Sequence, residues 1–340
     1  MTTMMQAGYW VKPETIEVRN NPLPRQPGEV LLKVAYGGIC GTDMMIYLGK
    51  HPRAKAPLVM CHEFVGTVVE DPSGTFAVGQ PAAINPLLMC GKCYACRNGI
   101  PHICASLGLL GIDRDGGFAE YASVPLNTVR PLSPDLPLVQ AALIEPLAVA
   151  VHAVRVSDLA VADETVVLGA GPVGLMVAQV ARLAGACKVW VTERSPARIA
   201  IARALGFKVL DSSAGEVLPT LLGGSKGTGY PVVFETAGVQ TTVTESAKLV
   251  RPGGQVLQVG MPKTPPTVDY TLLSFREIRI TPIRVYRQED FDLAITLAEG
   301  DKIDLVKPVS HVLPLSRLGE AMELARQADS ACKILLQPGS

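Results

Sequence analysis

The chain has 340 residues, more than one ordinary domain holds, so two cores are expected. Its 31 lysines and arginines balance 31 aspartates and glutamates with no block of like charge, which counts against a nucleic acid or an anionic membrane as principal partner and leaves a small molecule. Eight cysteines, behind an N-terminus (MTTMMQAGYW) that lacks a basic segment followed by an apolar one, point to metal or reactive thiols in a cytoplasmic setting rather than to a disulfide framework.

From Tyr9 to about Arg130 the chain consists of short apolar stretches broken by Gly and Pro, such as EVLLKVAYGGIC, EFVGTVVED and GGFAEYASVP, the texture of an all-β domain. Pro131 to Pro137 reads as a connector. The following LVQAALIEPLAVAVHAVRVS is helical in composition, with Pro146 kinking or restarting it. From Thr165 strand and helix alternate. Thr165 to Leu168 is apolar on both alternations, as a strand buried on both faces should be. Gly169, Gly171 and Gly174 then form G-x-G-x-x-G, with Pro172 and Val173 between the last two, and Pro172 falls at the expected first helical position. Amides at that helix start would face a bound pyrophosphate. The next strand, Lys188 to Thr192, ends in Glu193, about twenty residues beyond Gly174, where an acid bonds a ribose hydroxyl. The same glycines could instead serve only a close helix–strand contact; the strand before, the helix after and the acid together favour a dinucleotide. The apolar run from Val166 to Ala181, broken by these glycines and a proline, is no membrane span. Ser195 is an expected N-cap, and KVL, PVVFETA and QVLQVG read as further strands of a parallel sheet wound by helices. After Arg287 come two helical stretches, DFDLAITLAEG and RLGEAMELARQA, and a last strand CKILL.

Cys90, Cys93, Cys96 and Cys104 form C-x2-C-x2-C-x7-C, and four thiolates this close can surround one structural zinc without long chain closure. His102 could replace Cys104, but four cysteines already suffice. A fully ligated zinc is a staple and supplies no chemistry. Cys40, His62, Glu63 and Glu145 are scattered, and each alone is unremarkable: a lone buried cysteine behaves as a small hydrophobe, and a lone histidine is usually just hydrogen-bonded.

The order and spacing of GGICGTD, CHEFVG, the cysteine loop, GGFAEY, IEPLAVAVHAV and GAGPVG give these residues a context. Over essentially the whole chain the sequence resembles the zinc-dependent medium-chain alcohol dehydrogenases, and the Glu145-Pro146 pair resembles their polyol and sugar-acid branch, neighbour to sorbitol, threonine and galactonate dehydrogenases. The resemblance implies an α/β protein: a GroES-like catalytic domain (1–150), a Rossmann doubly wound parallel sheet domain (151–286), and a C-terminal segment (287–340) returning to the catalytic domain. It also implies a catalytic zinc held by Cys40 and His62, with Glu63 and Glu145 as candidates for the remaining ligands. Neighbours on a regular strand face opposite sides, so His62 and Glu63 cannot both reach one metal without distortion, and His62 is favoured as the firm ligand. The zinc would act as a Lewis acid on the secondary alcohol of a polyol or sugar acid, with NAD taking the hydride and the Thr42 hydroxyl accepting the proton. Two positions depart from the family's usual form. Cys61 stands where relatives commonly have Gly, and Met45 where several carry a relay histidine, leaving Asp43 or His51 as substitutes.

Glu193 favours NAD, because it would repel the additional phosphate of NADP; Arg194 and Arg198 nearby weaken that inference, and Arg198 is counted with the cofactor-binding residues. Thr236 and Gly260 follow strands of the parallel sheet, where ligands approach, and Gly260 joins the cofactor set. Arg284 resembles the arginine that polyol dehydrogenases set over their substrate. A threonine-like amino alcohol is the alternative substrate. A non-catalytic NAD-binding sensor and a zinc-free reductase are the competing functions, and relatives are commonly homodimers or tetramers. Exact substrate, direction and the completing zinc ligand stay open at this level.

Overall fold

The structure, a computed structural model, describes residues 3–327 and 331–339; Ala328, the last residue of the expected helix RLGEAMELARQA, lies outside them. The chain divides into two compact units. One runs up to Glu145 and takes in Arg287–Asp301 and the residues from Val309 onward; the other comprises Pro146–Tyr286 and Lys302–Pro308.

The first unit is built on a seven-stranded sheet. Strand Val30–Gly38 pairs antiparallel with Glu63–Glu70 on one side and with Lys333–Gln337 on the other, while Val309–Pro314 runs parallel to Lys333–Gln337 at the edge. A segment from the far end of the chain therefore sits beside its first long buried strand. Val30, Leu31, Leu32, Phe64, Val65, Leu335 and Leu336 are each at most 2% exposed, which makes this junction the core of the unit. A three-stranded sheet of Thr15–Pro22, Met4–Lys12 and Leu58–Val59 carries the chain towards Cys61 and His62.

The second unit is a six-stranded, wholly parallel sheet. Its strands are Glu164–Leu168, Lys188–Glu193, Lys208–Asp211, Tyr230–Glu235, Val250–Gln258 and Arg279–Pro282. The third, second and first of these lie in that order on one side, followed by the fourth, fifth and sixth, so strand order reverses between Glu164–Leu168 and Tyr230–Glu235. Val166, Val167, Leu168, Val232, Val233 and Phe234 are completely buried, as strands covered on both faces require.

Local signals account for the element boundaries. Helix Pro172–Leu183 opens with Gly171 as N-cap and Pro172 as first residue. Ser195 caps helix Pro196–Ala204 by accepting a bond from the Arg198 amide at 3.4 Å. Pro146 marks a restart and not a kink: it sits in the first turn of Ile144–Arg155, where its missing N–H is harmless, after a separate short helix Leu138–Ala141. Among the described residues no helix is long and apolar enough to cross a membrane.

Candidate functional site

Cys40 does not end a strand. It follows strand Val30–Gly38 as the N-cap of a short helix, Gly41–Tyr47. Its amide donates to Asp43 Oδ2 at 2.8 Å, which fixes the thiol at the helix mouth, and its Sγ lies 3.9 Å from Thr42 Oγ1. His62 arrives from another part of the chain, one residue before strand Glu63–Glu70. Cys61, just before it, has φ of +84°, a left-handed conformation in which any side chain is strained, and its buried thiol is held against the carbonyls of Glu63 (3.3 Å) and Gly38 (3.6 Å). His62 thus lies outside the regular strand, and the kink before it lets successive side chains converge: donor atoms of Cys40, His62 and Glu63 all fall within 4.8 Å of one another. Glu145, in the first turn of helix Ile144–Arg155 and 7% exposed, is not among these mutually close donors, although its charge reaches His62.

The charges around this centre are unbalanced towards negative. Burial alone would lower His62, but the Cys40 sulfur, which also bonds the ring, together with Asp43 and Glu145, holds it well above the ordinary histidine range. Burial raises the fully buried Asp43, whose oxygens accept the amides of Cys40 and of Cys61 (3.2 Å) and stand 4.0 Å from His62 Nδ1. Glu63 Oε2 pairs with the Lys333 ammonium, both side chains at most 2% exposed, and Lys333 also donates to the Ile39 carbonyl at 3.0 Å. Burial works against the Lys333 charge, yet Glu63, Cys40 and Glu145 hold it above the usual lysine range. A thiol and three carboxyls thus surround one lysine and one histidine. A soft sulfur, an imidazole and a carboxylate converging in an anion-rich, buried place fit a divalent zinc.

Lys333 escaped the sequence reading. A lysine leading an apolar strand carries only a faint signal, and nothing local ties it to Glu63, 270 residues away. Asp43 has the place of an orienting group: buried, with its oxygens taken by amides, it is ill suited to passing a proton to solvent. His51 is part-exposed, and its Nδ1 accepts the amides of Arg53 (3.3 Å) and Ala54 (3.2 Å).

In the cysteine loop the sulfurs of Cys93 and Cys96 are 3.6 Å apart, those of Cys93 and Cys104 3.8 Å, and those of Cys90 and Cys96 4.0 Å. None of these four cysteines is in a disulfide, so these contacts are not S–S bonds. The amides of Lys92 and Cys93 push the Cys90 thiol down to about 5, whereas burial and neighbouring thiols push Cys96 up to about 12. Four sulfurs with amides already turned on some of them fit a second zinc.

In the parallel-sheet unit, Gly169 has φ of +108° and Gly174 packs so tightly that a Cβ would come within 2.2 Å of the Gly169 carbonyl. That close helix–strand contact explains Gly174 but not Gly171, where a Cβ would meet nothing within 4 Å. Open space at a helix N-cap is what an approaching phosphate needs. Pro172 and Val173 form the first turn behind it. Glu193, at the end of its strand, reaches back to this turn: Oε2 accepts the Ala170 amide at 3.0 Å, and Oε1 accepts those of Arg194 (2.8 Å) and Ser195 (3.1 Å), with Arg198 Nη1 3.9 Å from Oε2. Thr236 Oγ1 donates to the carbonyls of Leu168 (2.9 Å) and Gly169 (3.2 Å), and Gly260 follows the neighbouring strand. Arg284 is exposed, next to Val285 at φ +39°.

The chain is similar to known proteins over most of its length. Residues 26–134 match the alcohol dehydrogenase GroES-like domain, and residues 172–300 the zinc-binding dehydrogenase domain. A 2-dehydro-3-deoxy-L-galactonate 5-dehydrogenase from Pseudoalteromonas atlantica is 36% identical over 307 residues, 89% of this chain and 90% of its own. An L-threonine 3-dehydrogenase from Thermococcus kodakarensis is 34% identical over 351 residues, with 99% of each chain covered. The crystal structure of a zinc-binding dehydrogenase from Sinorhizobium meliloti bound to NADP is similar with a TM-score of 0.93 at 32% identity, covering 99% of this chain and 100% of that one.

Proposed function

Since the chain belongs to the zinc-binding alcohol dehydrogenase family and is an α/β oxidoreductase acting on a secondary alcohol, we propose that its substrate is a polyol or sugar acid and its hydride acceptor NAD. The observation that carries the reading is the convergence of Cys40, His62 and Glu63 donors in a buried, anion-rich centre. Cys40 and His62 would be the firm ligands of the catalytic zinc, with Glu63 and Glu145 as the candidates for the remaining positions, one of them giving way to water or substrate. Cys90, Cys93, Cys96 and Cys104 hold the structural one. When bound, the catalytic zinc supplies a Lewis acid and the nicotinamide a hydride acceptor.

The chain's own groups do the rest. Asp43 fixes the amides on either side of the centre, and Lys333 pairs with Glu63. The Thr42 hydroxyl, beside the Cys40 sulfur, takes the alcohol proton; a thioether at Met45 cannot pass it on. His51 remains the candidate for the onward step; with two amides on Nδ1 its neutral ring carries its hydrogen on Nε2, so it takes the proton at Nδ1 by releasing them. Gly169, Gly171, Pro172, Val173 and Gly174 cradle the pyrophosphate. Glu193, with three amides on its oxygens, would take a ribose hydroxyl, and its charge disfavours the additional phosphate of NADP even with Arg198 nearby. Gly260 borders the cofactor, and Arg284 offers an exposed guanidinium to several hydroxyls or a carboxylate. Four cysteines gathered as metal ligands rather than disulfides suit the cytoplasm. Tyr270 and Phe275, 76% and 87% exposed on helix Tyr270–Arg276, suit a homodimer or tetramer.

A second reading, oxidation of a threonine-like amino alcohol, draws on the 34% identity to a threonine dehydrogenase. The test is reduction of NAD, and separately of NADP, by the purified protein with polyols, sugar acids and threonine, before and after chelation. Chelator-sensitive NAD reduction on a polyol or sugar acid is expected. Turnover with threonine alone would select the second reading, and a zinc-loaded, NAD-binding protein that oxidises no member of a broad panel would overturn both.

A further inference from the structure

Glu235 closes strand Tyr230–Glu235, the first strand past the reversal of sheet order, and it is completely buried. Among the described residues its carboxylate meets neutral donors and no cation. Oε1 accepts the amides of Ala237 (3.0 Å) and Gly238 (2.9 Å) and the Thr242 hydroxyl (2.6 Å); Oε2 accepts the Gly238 amide at 3.2 Å and the Gln258 side-chain amide. Its main-chain carbonyl accepts the amides of Val259 (2.8 Å) and Gly260 (2.9 Å). A buried carboxylate without a counter-ion is expensive, and an apolar residue would serve a merely structural strand end better.

The consequence of these bonds is local and specific. They draw the loop after Glu235 against the loop after Gln258 until main chain touches main chain. A Cβ on Gly260 would lie 2.3 Å from the Gly238 amide, and a Cβ on Gly238, whose φ is +66°, would lie 2.7 Å from the Met261 carbonyl. Thr236 joins the pair to the glycine turn through Leu168 and Gly169. Val239 and Met261, 50% and 66% exposed, rise from the two joined loops as an apolar rim. In a doubly wound sheet the dinucleotide spans the reversal point. With Glu193 and the glycine turn taking the adenosine and pyrophosphate, the half past the reversal is left for the nicotinamide.

We propose that Glu235 is the positioning residue of the nicotinamide half of the cofactor site, the group that fixes the 235–242 and 258–261 loops in a single arrangement for the ring to bind. The inference rests on the dinucleotide reading above and deepens it. An amide cannot substitute, because Glu235→Gln turns an N–H towards a donor on at least one side.

The experiment compares NADH with ADP-ribose, which lacks the nicotinamide, in fluorescence and calorimetric titrations of the zinc-loaded protein, with NADPH in parallel. For Glu235→Gln the dissociation constant of NADH rises by about tenfold, the worth of one charge-assisted hydrogen bond, while that of ADP-ribose stays within about twofold. Thr242→Val, which removes one donor at the helix side and leaves the carboxylate, shifts NADH in the same direction by less and stands in if Glu235→Gln does not fold. Equal weakening of both ligands, or of neither, overturns the positioning role. An unsubstituted protein that binds none of NADH, NADPH and ADP-ribose overturns the dinucleotide reading itself, and this inference with it.

Discussion

The four-cysteine loop and the Cys40–His62–Glu63 centre are both sets of donors lying within 4.8 Å of one another, and they are assembled in opposite ways. The loop draws its donors from one short stretch, all of one chemical kind, with neighbouring main-chain amides already bonded to the sulfurs. The centre draws three different donors from two distant segments and is steadied by buried charges, Lys333 from one side and Asp43 from the other. A uniform, locally closed set has every position filled and stabilises its surroundings. A mixed set held by the fold keeps a position for substrate, and its chemistry depends on groups that never touch the metal.

The contrast can be broken most sharply at His62. His62→Ala should bring alcohol-dependent NADH formation to background and remove the catalytic zinc, while denaturant unfolding shifts by no more than about 2 kcal/mol. Cys96→Ser should do the reverse in character: metal analysis shows the structural zinc lost, and stability falls on the order of 4 kcal/mol, with activity declining only as the protein unfolds. Equal stability losses in the two variants would erase the distinction between staple and reactive centre.

Lys333 sharpens the comparison, since nothing in the cysteine loop corresponds to it. Lys333→Met leaves the buried Glu63 carboxylate unpaired. The expected result is a loss of about 3 kcal/mol in urea unfolding and of roughly 10- to 100-fold in kcat. Adding Glu63→Gln in the same chain should recover part of the stability and none of the activity; a double variant no more stable than Lys333→Met would show that the pair is not what the lysine supports. The smallest effect is expected at Cys61. Cys61→Gly relieves a left-handed backbone but removes a packed thiol, so stability should change by no more than about 1 kcal/mol with zinc retained, whereas the β-branched Cys61→Val should lose more.

How much of this was legible in the sequence follows from how far each feature reaches along the chain. The cysteine loop, the glycine turn, its helix start at Pro172 and the N-cap at Ser195 are local, and their spacing alone conveys their geometry. The convergence of His62 and Glu63 was not legible, because alternation on a regular strand forbids it; the departure lies in the φ of Cys61, which a residue name does not reveal. Lys333 and Glu235 were missed for another reason. Each stands in an apolar strand where its charge looks like a surface alternation, and only strand pairing shows what faces it. Asp43 was legible as a polar residue beside the site but not in its role, which depends on the helix it caps.

The pairing of Lys333–Gln337 with Val30–Gly38 also has a temporal side. Lys333 leaves the ribosome 270 residues after Glu63, an interval on the order of ten seconds to a minute at about 5–20 residues per second. The whole parallel-sheet unit is synthesised in between and is free to fold first. During that interval the edge of Val30–Gly38 that receives the late strand is open, and Glu63 waits without its counter-charge. The parallel-sheet unit can therefore form before the first unit has its last strands, and a chaperone that shields that edge would act on this intermediate rather than on the finished chain.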